Sequence, residues 1–516
     1  MKKISISFIL LCLIAGFFQS CTDLEEQLND GVPTLDANAD VAQLLAGAYG
    51  NLRDLQSQEH IIFVANHTTD EMAGPTRGRD WDDAGIWRVL HRHSWTPSHQ
   101  FIEEGWRTLN RNGFNAQQVL CNGATGQVAA EATFLRVFAD YMTLDLFGKV
   151  PRRACNENLL NPPSQLLTRE NGVELFISEL EAVFNDLPTS STSAATATQD
   201  AARVLLAKLY LNRAVHAATG ADGAPQAGPY TFDAADMNKV VELCDEIIGS
   251  GSYALDDNYF DNFIPENTSE SSELIFVSEN SSGGASGNVR SRWFCSTHYN
   301  QNPSGWNGFV ALSDLYDKFE ETDVRRGQDL DYIGDNGSGL RAGFLIGQQF
   351  ASDGTPLEDR QGGPLNFTSD FNLFQTGDQL EVTGIRCVKY PPDFTTPGDN
   401  SDNDFIFFRY ADILLMKAEA ILRGGSSPDR PEDLVNSIRT IRGASTFGSV
   451  DLQTVLDERS RELYWECWRR NDQIRFNTYL GTWQEKPNPS DPSRLLFPIP
   501  AEAIATNPNL PQNPGY

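Results

Sequence analysis

The run QDAARVLLAKLYLNRA, with Ala202, Leu206 and Leu209 at helical spacing, belongs to a series of apolar-faced segments that together demand a helix-on-helix core. In AAEATFLRVFADYMTLDLFG, Phe134, Phe138 and Tyr141 share a face, Leu135, Met142 and Leu146 flank it, and Gly148 and Pro151 close the segment. MNKVVELCDEIIGSGSY adds a helix stopped by Gly249 and Gly251. The pattern resumes at Tyr410, where Leu414, Ala418 and Ile421 form one stripe and, past a GGSSPDRP turn, Leu434, Ile438 and Ile441 form the next. A last long helix carries Leu456, Leu463, Cys467 and Ile474. A single amphipathic helix cannot bury its own stripe, so helices joined by tight turns must pack as pairs. The spacing therefore predicts a mainly α protein built as an α-solenoid of tetratricopeptide-like helix pairs.

Two stretches break this pattern. A first helix, about Asp36 to Gln56, is followed by a loop from Ser57 to Pro97 rich in Gly, Asp, Arg, Trp and His. From about Asp256 to Asn403, Gly, Asn, Ser, Asp and Pro dominate, with only short strand-like pieces such as ELIFVSE and GIRCVKY. So long an irregular region inside a compact protein is usually functional.

The N-terminus carries two lysines, an apolar run from Ile4 to Phe18, and then Ser20 and Cys21. The run is shorter than the roughly 20 residues a spanning helix needs, and its layout is that of an export signal. Cys21 directly after it predicts a lipoprotein signal, with acyl chains on that cysteine as the anchor. The formal net charge of −30 makes nucleic acid and anionic lipid poor partners and favours neutral over polyanionic ligands. Beyond Cys12 and Cys21, the cysteines Cys121, Cys155, Cys244, Cys295, Cys387 and Cys467 show no CxxC and no regular spacing. They read mostly as buried free thiols, with room for one or two bridges.

Six blocks, in order, resemble the SusD/RagB family of outer-membrane nutrient-binding, glycan-binding lipoproteins. They are WRTLNRNGFNAQQVL with Trp106, Leu109 and Asn115; EATFLRVFADYMTLDLFGKVP; GFVALSDLYDKFEETDVRRG with Phe319, Asp323 and Arg325; FFRYADILLMKAEAILR; ERSRELYWECWRRNDQIRF; and FPIPAEAIATNPNLPQNPGY. The last long helix departs from the family with Cys467 where Gly is common, and with Asn471 and Gln473 where apolar residues usually sit, all taken as packing positions. The resemblance implies helix pairs cradling a large irregular ligand-binding half with short strands. It also implies a SusC-like TonB-dependent transporter as partner and a lipid-anchored place on the outer membrane, facing the exterior. The acidic run of Asp23, Glu25 and Glu26 resembles the family's surface-export address. The expected division is a signal peptide at 1–20, a SusD-like helical region at 21–255, and a C-terminal region at 256–516 holding the irregular insertion and final helix pairs, all in one compact fold.

A sugar presents an apolar C–H face and a rim of hydroxyls, so its site needs aromatic plates beside polar side chains. Two irregular segments offer both: RGRDWDDAGIW, with Arg77, Arg79, Trp81, Asp82, Asp83 and Trp87, and RSRWFCSTHYNQNPSGWNG, with Arg292, Trp293, Tyr299, Asn300, Trp306 and Asn307. The ligand-binding candidates are Arg79, Trp81, Asp82, Trp87, Trp293, Tyr299 and Trp306, and irregular placement argues against their being core.

Other classes have weaker signals. Glycoside hydrolysis needs two facing carboxylates. Glu458, Glu462 and Glu466 share a helix face, but Arg459, Arg461 and Arg469 beside them predict an ion network instead. His91, His93 and His99 lack a further ligand motif and read as solvated loop histidines, leaving no metal site assigned. The run DNSDNDF, residues 399–405, holds calcium-type oxygen ligands without the Gly and Glu of an EF-hand, so structural calcium is the one cofactor left open. Capture of an oligo- or polysaccharide without cleavage is the main expectation. A surface glycoside hydrolase, and a peptide-binding or scaffold lipoprotein, are the alternatives.

Overall fold

The computed structural model describes residues 40–281, 284, 286–329, 339–396 and 401–516. The expected signal peptide, Cys21 and the acidic run after it lie outside the described residues, as do Asp399 and Asn400.

Helix α1, Val41–Gly50, continues into a 3-10 turn, Asn51–Leu55, as the first apolar run requires. The segment read as a loop is instead well buried and holds α2, Ile61–Asn66, and α3, Ile86–His91. The apolar run IIFVA explains why α2 is buried on every side. Then come α4, Gln100–Cys121; α5, Gly126–Phe147; α6, Arg169–Val183; α7, Gln199–Ala217; and α8, Ala234–Ser250. Each of α5 to α8 packs on its predecessor. The series resumes across the irregular region with α9, Tyr410–Leu422, which packs on α8, then α10, Pro431–Ile441, and α11, Leu452–Leu463. These are the tetratricopeptide-like helix pairs that the periodicity predicts.

Local chemistry sets the joints. Thr198 accepts from the Ala201 N–H to start α7, and Asp451 from the Thr454 N–H to start α11. Gly148 ends α5 at φ 71°, where a Cβ would also lie 2.7 Å from Leu496. Helix α5 is buried nearly all round, because α4, α6 and the Leu274–Ser278/Phe405–Arg409 strand pair surround it with Phe276, Phe407 and Phe408 against Phe138.

The last long helix is in fact two. After α11 the chain breaks at Tyr464–Trp468 and restarts as α12, Arg469–Arg475. Trp465 and Cys467 stand at φ 60° and 79°, and Glu71 takes the Trp465 backbone N–H at 3.0 Å. The glycine that the resemblance implies at position 467 thus answers to a left-handed backbone. The irregular region folds as short ladders, among them Arg386–Val388 against Ala342–Leu345, tied to the helices through one continuous apolar core from Leu45 to Leu510.

Cys121 and Cys155 form a disulfide, while Cys244, Cys295, Cys387 and Cys467 are free thiols. No helix among the described residues is long and apolar enough to cross a membrane.

Candidate functional site

The two aromatic segments meet. Arg77 and Asp80 close a tight turn through reciprocal backbone hydrogen bonds of 2.8 and 3.0 Å. The Arg77 guanidinium, buried, donates to Leu380 O at 2.7 Å and to Thr383 O at 3.0 Å, which fixes the turn on the 380–386 segment. Past it, Trp81, Asp83, Ala84 and Gly85 all adopt positive φ, coiling the chain so that the Trp81 ring points back over the fold. Its indole N–H donates to Trp306 O at 2.9 Å, and the two rings lie 6.0 Å apart at 57°.

Trp306 is carried by a second coiled turn. Asn307 sits at φ 52°, and its side-chain oxygen accepts from Arg386 at 2.8 Å. Gly308 follows because nothing larger fits: a Cβ there would stand 2.2 Å from the Trp81 ring. Trp306 is 43% exposed, and Phe294 backs its ring at 4.6 Å.

The result is an open recess of about 620 Å3 lined by Trp81, Trp87, Tyr299 and Trp306 together with Gln58, Glu59, Asp80, Asp83, Gln100 and Phe101. The Tyr299 hydroxyl donates to Asp80 at 3.1 Å, and Arg360 stacks on its ring at 3.9 Å while reaching Asp80 at 3.3 Å. Burial and the Asp80 charge push the Tyr299 hydroxyl up to about 12, so it remains a donor at neutral pH. Glu381 accepts from Arg360 and shares a hydrogen bond with the buried His298 at 2.9 Å.

Not every candidate reaches the recess. Trp87 is only 2% exposed, forming its floor, with its indole N–H on Asp83 at 2.9 Å. Trp293, also 2% exposed, lies in the core and meets the site only through Phe294. For these two, irregular backbone did not keep an aromatic ring out of the core. Asp82 pairs with Arg88 at 2.8 Å outside the lining, and Arg79 is exposed, also outside it. Gln58, Gln100 and Phe101 carry no sequence signal of their own, since they come from a turn and from the first residues of α4.

Glu458, Glu462 and Glu466 form the expected ion network, though mostly with other partners. Glu458 meets Arg325, Arg439 and Arg461; Glu462 meets Arg325, Arg409 and Arg442; Glu466 meets Arg409 and Lys389, all buried. Of the named neighbours only Arg461 belongs to it, because Arg459 pairs with Asp412 and Asp472, and Arg469 with Asp70. The solvated-histidine reading is corrected too. His91, His93 and His99 are all buried, each with Nε2 on a backbone carbonyl, of Gln484, Thr68 and Ile86 respectively. Their neighbours Trp483, Trp95 and Phe101 close around them. Among the described residues no three His, Cys, Asp or Glu side chains gather into a metal site. Asp404, in the acidic run, spends its carboxylate on Thr268 and the Asn280 N–H.

Fold and recess define the class: a helix-pair scaffold whose irregular half holds an open aromatic-walled site. Residues 272–516 match the SusD family, and the chain is similar to SusD-like proteins over most of its length. It is 28% identical over 471 residues to the starch-binding protein SusD of Bacteroides thetaiotaomicron, covering 82% of this chain and 80% of that one. It is 23% identical to the SusD-like protein P2 of Formosa agariphila over the full length of both. Among solved structures, a SusD superfamily protein from Parabacteroides distasonis superposes with a TM-score of 0.69 at 18% identity, covering 92% of this chain and 98% of that one. The surface glycan-binding protein A of Bacteroides thetaiotaomicron, in complex with laminarihexaose, gives 0.66 at 18% identity with the same coverage.

Proposed function

We propose that this protein captures an oligo- or polysaccharide in the recess of Trp81, Tyr299 and Trp306 without cleaving it. Anchored through Cys21 to the outer membrane and facing the exterior, it passes the glycan to a SusC-like TonB-dependent transporter. The observation that carries this reading is the convergence of two distant segments into an open site with an exposed indole, a neutral phenol and side-chain amides, the set a pyranose face and its hydroxyls require. A relative named as starch-binding, and a fold neighbour named as glycan-binding and solved with laminarihexaose, support the ligand class. The arginine-locked burial of Glu458, Glu462 and Glu466 removes the carboxylate face that a hydrolase reading would have used.

The test is calorimetric titration of residues 22–516 against neutral and acidic polysaccharides and peptide digests, with each mixture assayed for new reducing ends. Binding of a glycan without cleavage is expected. New reducing ends would replace capture with hydrolysis, and binding to peptides alone would withdraw the claim about sugars.

A further inference from the structure

The recess has carboxylates and no cation in its lining. Glu59, Asp80 and Asp83 face it, and among the described residues no Lys, Arg or His lines it. Asp80 is offset by Arg360, which bridges it to Glu381. Glu59 and Asp83 have no cationic partner among the described residues, and Asp83 accepts only the Trp87 indole N–H. Arg88, in the same loop, is held on Asp82 outside the lining.

We infer that Glu59 and Asp83 make the site selective for glycans without acidic substituents, rejecting uronates and sulfate esters. This rests on the capture reading above. Ionised carboxylates accept sugar hydroxyl protons and so favour neutral rings, but they repel any anion brought between the aromatic walls. For an anionic substituent at a separation of about 6 Å from one of them the cost follows from Coulomb's law. Like charges at that separation cost about threefold in affinity in water and about a hundredfold at an effective dielectric of about 20. A chain at −30 adds a background field of the same sign, but that field is screened beyond about 10 Å in 0.1 M salt, whereas the two lining carboxylates act at contact.

The experiment pairs each neutral polysaccharide of a panel with the same polymer after oxidation of its primary alcohols to carboxylates, titrated at low and at about 1 M salt. Wild-type protein is expected to bind the oxidised form about tenfold or more weakly at low salt, with a smaller gap at high salt. In the Glu59→Gln, Asp83→Asn double variant, whose amides each keep one acceptor oxygen, the gap should fall to about threefold or less. Equal binding of both forms by the wild type would overturn the inference while leaving capture in place. A gap that the double variant leaves unchanged would assign the preference to a lost hydroxyl contact and overturn it as well. Binding of neither form across the panel would remove the capture reading and this inference with it.

Discussion

The Trp81 indole N–H donates to the backbone carbonyl of Trp306 at 2.9 Å, joining segments 225 residues apart. The two tryptophans are therefore placed differently, because Trp81 locks the recess while the Trp306 ring stands exposed in it.

Trp306→Ala removes an exposed plate and leaves its carbonyl to Trp81. Glycan affinity should fall about tenfold or more, in the range of an aromatic hot spot. The melting temperature should move by no more than about 2 °C, since a half-exposed ring contributes little to the core. Unchanged affinity in calorimetry would take Trp306 out of the site.

Gly308→Ala tests the lock. A Cβ 2.2 Å from the Trp81 ring must displace either the ring or the turn. Overpacking of this kind costs about 1–3 kcal/mol, and the glycan affinity should fall with it because Trp81 can no longer hold both its hydrogen bond and its place. Denaturant unfolding and calorimetry on the same preparation separate the two effects.

The helix pairs were legible because a 3.6-residue apolar period reports burial directly. The recess was legible only in part. Trp81, Tyr299 and Trp306 stand out as residue types, but what separates Trp306 from Trp293, 13 residues away, is the coil at Asn307 and Gly308 held by Arg386, which no local pattern encodes. The break after Leu463 was hidden for the same reason: the apolar stripe runs on through it, while Glu71, far off in sequence, takes the backbone N–H that would have continued the helix. The histidines misled because His91, His93 and His99 lie in a polar-looking run whose partners are backbone carbonyls from elsewhere.

Glu419 and Glu458 are among the buried carboxylates, with Glu462 and Asp412, that set the acid limb of stability. Burial alone would raise their carboxyls, yet Arg475 and Arg423 around the first, and Arg325, Arg461 and Arg439 around the second, hold both at about 2. Because the unfolded groups titrate near 4.5, this stabilisation is full above that pH and is lost as the pH falls toward 2. Glu71 works in the opposite direction: burial raises it to about 8, so its contribution is present below 4.5 and lost as the pH rises to 8. Glu419→Gln should cost about 3–5 kcal/mol at pH 7 and make the acid limb shallower. Glu71→Gln should flatten the decline between pH 5 and 8. Urea midpoints measured from pH 3 to 8 check both.

Cys21→Ala should move the protein from the membrane fraction to the soluble one, since acyl chains on that residue are the proposed anchor. A variant still recovered with membranes after a salt wash would withdraw the lipid anchor.

The disulfide lies at the far end of the helix that serves the recess. Gln100 and Phe101, at the start of α4, line the site, and Cys121 ends the same helix, 22 residues in all. At 1.5 Å per residue the bond to Cys155 stands about 30 Å away along the axis. It closes a loop with a sequence separation of 34, pinning the segment after Lys149–Arg152 to α4. Constraining an unfolded chain over such a loop stabilises the fold by about 3–4 kcal/mol. The Cys121→Ser, Cys155→Ser variant should therefore unfold at a lower temperature yet bind glycan within about twofold of the wild type, because α4 keeps its first turns against Trp87 through Phe101, 4.8 Å between ring centres. A large loss of affinity in that variant would show that the two ends of α4 are coupled and that the recess depends on the whole helix rather than on its first turn.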